Sequence, residues 1–263
     1  MSQTSVRPDV RAFLDQLAAN PRPVMNDAMM AMMRQIPPET IAAMLGELDL
    51  PIGELGEMRD LTMSGPGGKI ALRLFDPRKV RSAGPVVVFY HGGGFVAGSV
   101  LTHASVAAEL ARSLDLPVVS VEYRLAPEDP WPAAPDDAEA AARWVAENGA
   151  ALGREFTHLI LCGDSAGGTL TLVTALALRD KPAALPLLMQ FPIYPRTDAT
   201  SVTESWTSFA DGYALEKANL DYYEQAYRPD PQSWRHSAIV ADLAGLPPTF
   251  LVTAEFDPLR DEG

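Results

Sequence analysis

Apolar runs of strand length alternate with helical patterns through the middle and end of the chain, and this alternation restricts the fold more than any other feature. The runs are PVVVFY (85–90), PVVSVEY (117–123), HLILCG (158–163), LPLLMQFP (185–192) and PPTFLVTA (247–254). A strand with one wet face alternates apolar and polar residues. Runs this continuous suit strands covered on both faces of a parallel sheet. Between them lie the helical patterns HASVAAELARSL (103–114), AAPDDAEAAARWVAEN (133–148) and AGGTLTLVTALALR (166–179). The predicted fold is therefore α/β, a mostly parallel sheet with helices on both faces, ordered by right-handed crossovers. Upstream, a Gly-Pro-Gly-Gly turn predicts an antiparallel hairpin between Met58 and Phe75.

Two segments stand outside this alternation. The first runs to about Leu50 and is helical in character, with a methionine cluster between Met25 and Pro37. The second is a stretch of roughly fifty residues before the last apolar run, too long for a structureless loop. We expect the two to meet over the carboxyl edge of the sheet as a helical cap, formed by residues 1–50 and 196–243. Residues 51–195 and 244–263 then make the α/β domain. A chain of 263 residues with 47% hydrophobic content can bury a core of that size.

Charge and composition narrow the partners. A net charge of -13 disfavours nucleic acid and anionic membrane surfaces and leaves small neutral or weakly charged ligands. No apolar run approaches the ~20 residues of a membrane-spanning helix. Cys162 is the sole cysteine, so no internal disulfide framework exists, and the sequence MSQTSVRPDVRAF has no apolar signal core. The expectation is a cytoplasmic protein.

The most informative corner is GDSAGG (163–168), where a buried strand stops at Cys162 and a helix begins near Ala166. Ser165 occupies the turn, as in a G-x-S-x-G nucleophile elbow. Side chains at Gly163 or Gly167 would collide with the adjoining strand and helix, and the helix N-terminus favours negative charge above the serine. A second glycine-rich corner, HGGGF (91–95), also ends a buried strand. Bare N–H groups at Gly92, Gly93 and Gly94, with that of Ala166, suit an oxyanion hole. Neither a P-loop lysine nor G-x-G-x-x-G spacing accompanies these glycines, which excludes the usual phosphate loops. His91 reads as a structural imidazole holding the loop.

With these corners in place, HGGGF, VEYRLAPEDPWPAAPDDA (121–138), GDSAGG and DPLRDEG (257–263) together resemble the hormone-sensitive-lipase-like family of bacterial carboxylesterases over nearly the whole chain. The resemblance implies an α/β-hydrolase sheet with a helical cap, no metal or cofactor, and hydrolysis of short-acyl esters as small-molecule substrates. It also implies Ser165 as nucleophile, Asp257 as the triad acid, and Gly92, Gly93 and Ala166 as oxyanion donors. Asp257 follows a buried strand at the sheet edge that carries Ser165; its other reading is a cap on the turn that follows. Arg124, Glu122 and Asp136 read as a structural network. Phe95, Met25, Met29, Met33 and Phe209 are candidate acyl-pocket residues, with Trp131 and Tyr194 nearby; ordinary packing is the alternative for each.

One part of the family pattern is missing. Its triad runs Ser, then Asp or Glu, then His, yet all four histidines precede Asp257. His103 sits at a helix start, His158 at a strand start, and His236 in the long excursion. The expectation is that the triad histidine lies after residue 263, that the C-terminal part of the fold is missing, and that this chain alone is nearly inactive. The apolar edge on residues 249–254 would then invite dimerisation, domain exchange or aggregation, a homodimer being one association it allows. The competing class is a non-catalytic hydrolase-like protein that binds a small ligand.

Overall fold

Among the residues described by the computed structural model, 6–21, 23–46, 49–200 and 202–263, the alternating pattern forms a six-stranded sheet. In chain order the elements are α1 (Pro8–Ala19), α2 (Asp27–Met33), α3 (Pro38–Gly46), β1 (Glu57–Gly65), β2 (Gly68–Asp76), β3 (Gly84–Tyr90) and α4 (Ala104–Leu114). Then follow β4 (Val118–Val121), α5 (Ala133–Glu147), β5 (Phe156–Asp164), α6 (Ala166–Asp180), β6 (Leu187–Ile193), α7 (Glu204–Ser208) and α8 (Lys217–Tyr227). The strand order is β1-β2-β4-β3-β5-β6. β1 and β2 form the expected hairpin, with Met58 opposite Phe75. β4, β3, β5 and β6 are parallel.

The continuous apolar runs have a simple cause here. On β3, Val86, Val88 and Tyr90 enter the core shared with α5 and α6, whereas Val87 and Phe89 enter a second core against α4. Both faces are dry, so no position on the strand tolerates a polar residue. α6 is buried from Ala166 to Leu178 along its whole circumference, which explains its weak amphipathic pattern.

The last apolar run departs from expectation. Residues 248–252 lie beside β6 in parallel, but only as separate bridges, Gln190 to Thr249 and Ile193 to Val252. Pro247 and Pro248 have no N–H to donate, and among the described residues nothing pairs with the outer edge of this segment. Phe250 is accordingly exposed.

The amino-terminal helices do meet α8. Asn26 caps α2 by accepting the Met29 N–H at 3.0 Å, Met25 N–H donates to Asn219 Oδ1 at 2.9 Å, and Tyr222 OH donates to Asp27. Arg34 ties the same segment to the sheet layer through Glu128 and the carbonyls of Val96 and Ala126. The excursion at 196–243 is divided in its allegiance. Thr197 and Asp198 donate their N–H groups to Glu262, Arg235 pairs with Asp136, and Ala238 lies in the main core. Of the two expected cap segments, residues 1–5, 22, 47, 48 and 201 lie outside the described residues. No helix among the described residues is long and apolar enough to cross a membrane.

Candidate active site

Ser165 stands at the junction of β5 and α6 with φ 53 and ψ -118. A non-glycine residue in such a conformation costs roughly 1–3 kcal/mol and persists only where surrounding structure imposes it. Here the Ser165 N–H donates to Ile193 O at 2.9 Å, locking the corner to the end of β6. The adjacent glycines are obligatory on steric grounds. A Cβ on Gly163 would come within 2.4 Å of Gly167 O, and one on Gly167 within 1.9 Å of Tyr90 O. Ser165 opens into a cavity of about 30 Å³.

The glycine loop after β3 lies on the same cavity, through Gly94 and Phe95, and one of its sequence-derived roles needs correction. Gly92 N–H donates to Asp164 Oδ1 at 2.9 Å, so it is already satisfied and does not serve as an oxyanion donor. Gly92 must be glycine because a Cβ would meet Asp164 Oδ2 at 2.3 Å. The N–H groups of Gly93, Gly94 and Ala166 have no recorded partner among the described residues. Gly93 and Gly94 hold φ of 125 and 62, which strongly favour glycine.

Asp164 is the functional residue that sequence reasoning passed over. It precedes the serine, anchors Gly92, and stands 3.6 Å from His103 Nε2, so one carboxylate joins the serine corner to the glycine loop. The only signal for it was an acid lodged between a glycine and the serine. His91 behaves as expected: it is fully buried, stacked on Tyr123 at 4.3 Å, and bonded through Nδ1 to Gly92 O at 2.8 Å. Burial and the neighbouring His103 push its imidazole down to about 4. It is neutral at physiological pH, and its Nδ1–H is the donor to Gly92.

Asp257 follows the bridged segment 248–252. Its Oδ1 accepts the Leu259 N–H at 2.8 Å, and Leu259 lines the Ser165 cavity. The turn-cap reading of this residue is thus observed, two residues before a side chain that lines the cavity. Burial raises the Asp257 carboxyl above its ordinary value, only partly opposed by that N–H. Tyr194, 36% exposed, is pushed up to about 12 by partial burial and by Asp164 and Asp257.

The histidines are committed elsewhere. His158 Nδ1 is 3.1 Å from Thr157 Oγ1. His236 is fully buried behind Phe95 and Tyr227, with Nε2 3.3 Å from Glu224 Oε1. Among the described residues no histidine has a recorded contact with Ser165. The expected network differs in its partners: Arg124 forms a two-pronged bond to buried Asp137, Asp136 pairs with Arg235 instead, and Glu122 accepts the Val100 N–H.

A larger cleft of about 640 Å³ lies between the amino-terminal helices and α8, with Met25, Met29 and Met33 in its wall. Tyr223 belongs to both this cleft and the Ser165 cavity. Phe95 lines the cavity itself, stacked on Tyr227 at 4.0 Å. Phe209 does not belong to either wall. It sits edge-on to Tyr213 and Phe256 beneath the Arg260 guanidinium, because the short α7 turns its ring toward the chain's final turn rather than toward α2. Trp131 donates its backbone N–H to Tyr227 O and does not line the cleft.

A strained serine between a parallel strand and a helix, faced by a glycine loop from the neighbouring strand, is the arrangement of the α/β-hydrolase fold. A family model described as alpha/beta hydrolase fold matches residues 87–263. The chain is 42% identical over 235 residues to Carboxylesterase NlhH of Mycobacterium tuberculosis, covering 86% of this chain and 73% of that protein. It is 34% identical to the Ethyl acetate hydrolase of Pseudomonas putida, covering 86% and 72%. Its structure matches the hyperthermophilic esterase from the archaeon Pyrobaculum calidifontis with TM-score 0.87 and 39% identity, over 98% of this chain and 83% of that one. The chain belongs to the hormone-sensitive-lipase-like family of α/β hydrolases.

Proposed function

We propose that this protein is a carboxylesterase of short-acyl esters in which Ser165 is the nucleophile. The observation that carries the reading is the strained Ser165 corner on a cavity also lined by Gly94 and Ala166, with the N–H groups of Gly93, Gly94 and Ala166 left without a protein acceptor among the described residues. Free N–H donors of this kind, brought beside the serine hydroxyl, would suit the oxyanion of a tetrahedral intermediate, whose negative charge the α6 N-terminus also favours. The carboxylesterase relatives support the same reaction class.

In this reading Ser165 Oγ attacks the ester carbonyl, the oxyanion rests on the three N–H groups, and the alcohol leaves as an acyl-enzyme forms. Water then releases the acid. Asp257 is the triad acid, the carboxylate that would orient an imidazole and stabilise its charged form; the burial that raises it works against its ionisation, which a charged imidazole beside it would favour. Among the described residues none of the four histidines is hydrogen-bonded to Ser165, so the chain by itself is expected to turn over slowly, with the oxyanion hole providing the remaining acceleration. Residues of α1, α2 and α8 act as the cap, and Met25, Met29 and Met33 as its adaptable lining.

Slow labelling by a fluorophosphonate on prolonged exposure, followed by peptide mapping, tests the nucleophile, and residual 4-nitrophenyl acetate hydrolysis tests turnover. Label on Ser165 that Ser165→Ala abolishes is the expected result. Label elsewhere, or undiminished hydrolysis by Ser165→Ala, would refute it.

A further inference from the structure

The cavity against Ser165 has an apolar wall along Phe95, Leu220, Tyr227 and Leu259, broken by two charged side chains, Arg196 and Glu224. An ionised carboxylate in such a wall is unfavourable unless it is paired and hydrogen-bonded. The pairing of Glu224 is one-sided. Its Oε1 accepts from Arg196 Nη1 and stands 3.3 Å from His236 Nε2. Its Oε2 has no recorded partner among the described residues. The groups on Oε1 are themselves fixed: the Arg196 guanidinium lies over the Trp206 ring at 5.1 Å, Thr169 Oγ1 donates to Arg196 O at 2.7 Å, and the His236 ring is buried. Glu224 is therefore fixed at its Oε1 end, while its side chain stays 33% exposed.

The charge state agrees with this geometry. Burial works against the ionised form of Glu224, but His236 and Arg196 outweigh it and keep the carboxyl below its ordinary value. Arg196 balances the charge, so a cationic ligand gains little net attraction, whereas a neutral donor meets an oriented anionic acceptor. Space sets the second limit. A cavity of about 30 Å³ takes a small polar group near the serine and no long chain.

We propose that Glu224 is a specificity-determining residue whose Oε2 accepts a hydrogen bond from a hydroxyl on a short acyl group held at Ser165, favouring hydroxyacyl esters over plain acyl esters of equal length. The proposal rests on the esterase reading only for the placement of the acyl group at Ser165. The alternative is an Arg196–Glu224 pair that merely ties β6 to α8. That role would weaken all ligands together and leave their ratio unchanged.

The test uses the full chain as Ser165→Ala, so that binding is measured without turnover and its result stands apart from whether the protein hydrolyses esters. Ethyl 3-hydroxybutyrate and ethyl butyrate are titrated calorimetrically. The hydroxylated ester is expected to bind ~tenfold tighter, the usual scale for a hydrogen bond to a charged group. Adding Glu224→Leu is expected to erase that ratio, with plain butyrate bound as well or better. If the leucine variant does not fold, Glu224→Gln, which keeps the shape, is expected to reduce the ratio severalfold. Equal affinities in the parent, or a ratio unchanged by either substitution, would overturn the proposal.

Discussion

Gly167→Ala is a sharp test of the claim that the serine corner is fixed by backbone contact rather than by chemistry. Gly167 sits in the first turn of α6, where alanine would ordinarily stabilise a helix by ~1 kcal/mol. The added Cβ, however, would stand 1.9 Å from Tyr90 O, 2.5 Å from Tyr90 C and 2.8 Å from His91 O. The closest approach is about 1.5 Å inside the distance at which ordinary contact begins. All three atoms are backbone, so no rotamer change relieves the overlap. Relief requires moving the end of β3, where Tyr90 is fixed by its hydroxyl to Ala138 O and by its place in the sheet. Overpacking of this kind costs ~1–3 kcal/mol, and the rigidity of the neighbours puts this case at the upper end, leaving ~2 kcal/mol after the helical gain. Thermal unfolding should then shift downward by ~4–8 °C. Since β3 leads directly into the glycine loop, fluorophosphonate labelling of Ser165 should fall more than stability does. Gly245→Ala is the control: its φ is 76 and its nearest neighbour is the flexible Arg179 side chain at 3.7 Å. It should lose ~1 kcal/mol from backbone strain alone with labelling intact. A Gly167→Ala protein as stable and as reactive as the parent would refute the steric argument.

Other expectations follow from the same geometry. Asp137→Ala leaves the Arg124 guanidinium without its buried partner and should destabilise by ~3 kcal/mol in urea unfolding, with Asp137→Asn recovering part of the loss. For Asp257, the folded carboxyl is raised by burial, so the folded state holds the proton more tightly than the unfolded one. Its effect on stability is absent below the unfolded pKa and becomes unfavourable as pH rises through the folded one. Asp257→Asn should therefore raise stability at pH 7 while leaving it unchanged at strongly acidic pH, a difference urea midpoints at the two pH values can read. Trimming Met29 and Met33 to alanine should change the ratio of kcat/KM for hexanoyl over acetyl esters, mainly through KM, because the cleft they line supplies apolar contact rather than chemistry. Phe209→Ala should leave that ratio unchanged and lower Tm instead, since its ring packs on Tyr213 and Phe256.

Legibility in the sequence followed the range of the forces involved. The strand runs, the hairpin and the serine corner were readable because each depends on neighbours a few residues away: continuous apolar character, a Gly-Pro-Gly-Gly turn, small residues around Ser165. The division of labour among the glycines was not, because it depends on Asp164, which is 72 positions from Gly92 and close only once β3 and β5 pair. Phe209 was misplaced for a related reason. Its aromatic character suits a pocket wall, but its partners Phe256 and Arg260 come from the far end of the chain. Glu262, which holds Thr197, Asp198 and the Trp206 indole, had no local signature at all.

Asp164 gives the site a property that neither corner has alone. The serine turn and the glycine loop end adjacent strands, and either could shift without the other if only strand pairing joined them. One carboxylate spans the gap. Gly92 N–H is bound to Oδ1, and Gly92 O receives the neutral His91 Nδ1–H, so the loop is gripped at both its donor and its acceptor before Gly93. The next two N–H groups have no protein acceptor among the described residues, and Gly94 lines the cavity. An oxyanion hole works to the degree that its donors need no rearrangement when charge develops. Asp164→Asn tests that link: it keeps the acceptor oxygen for Gly92 but allows the amide to flip and present N–H instead. We expect near-parental unfolding midpoints with Ser165 labelling slowed by ~tenfold or more, within the scale of losing one oxyanion donor. Unchanged labelling would mean that strand pairing alone positions the loop.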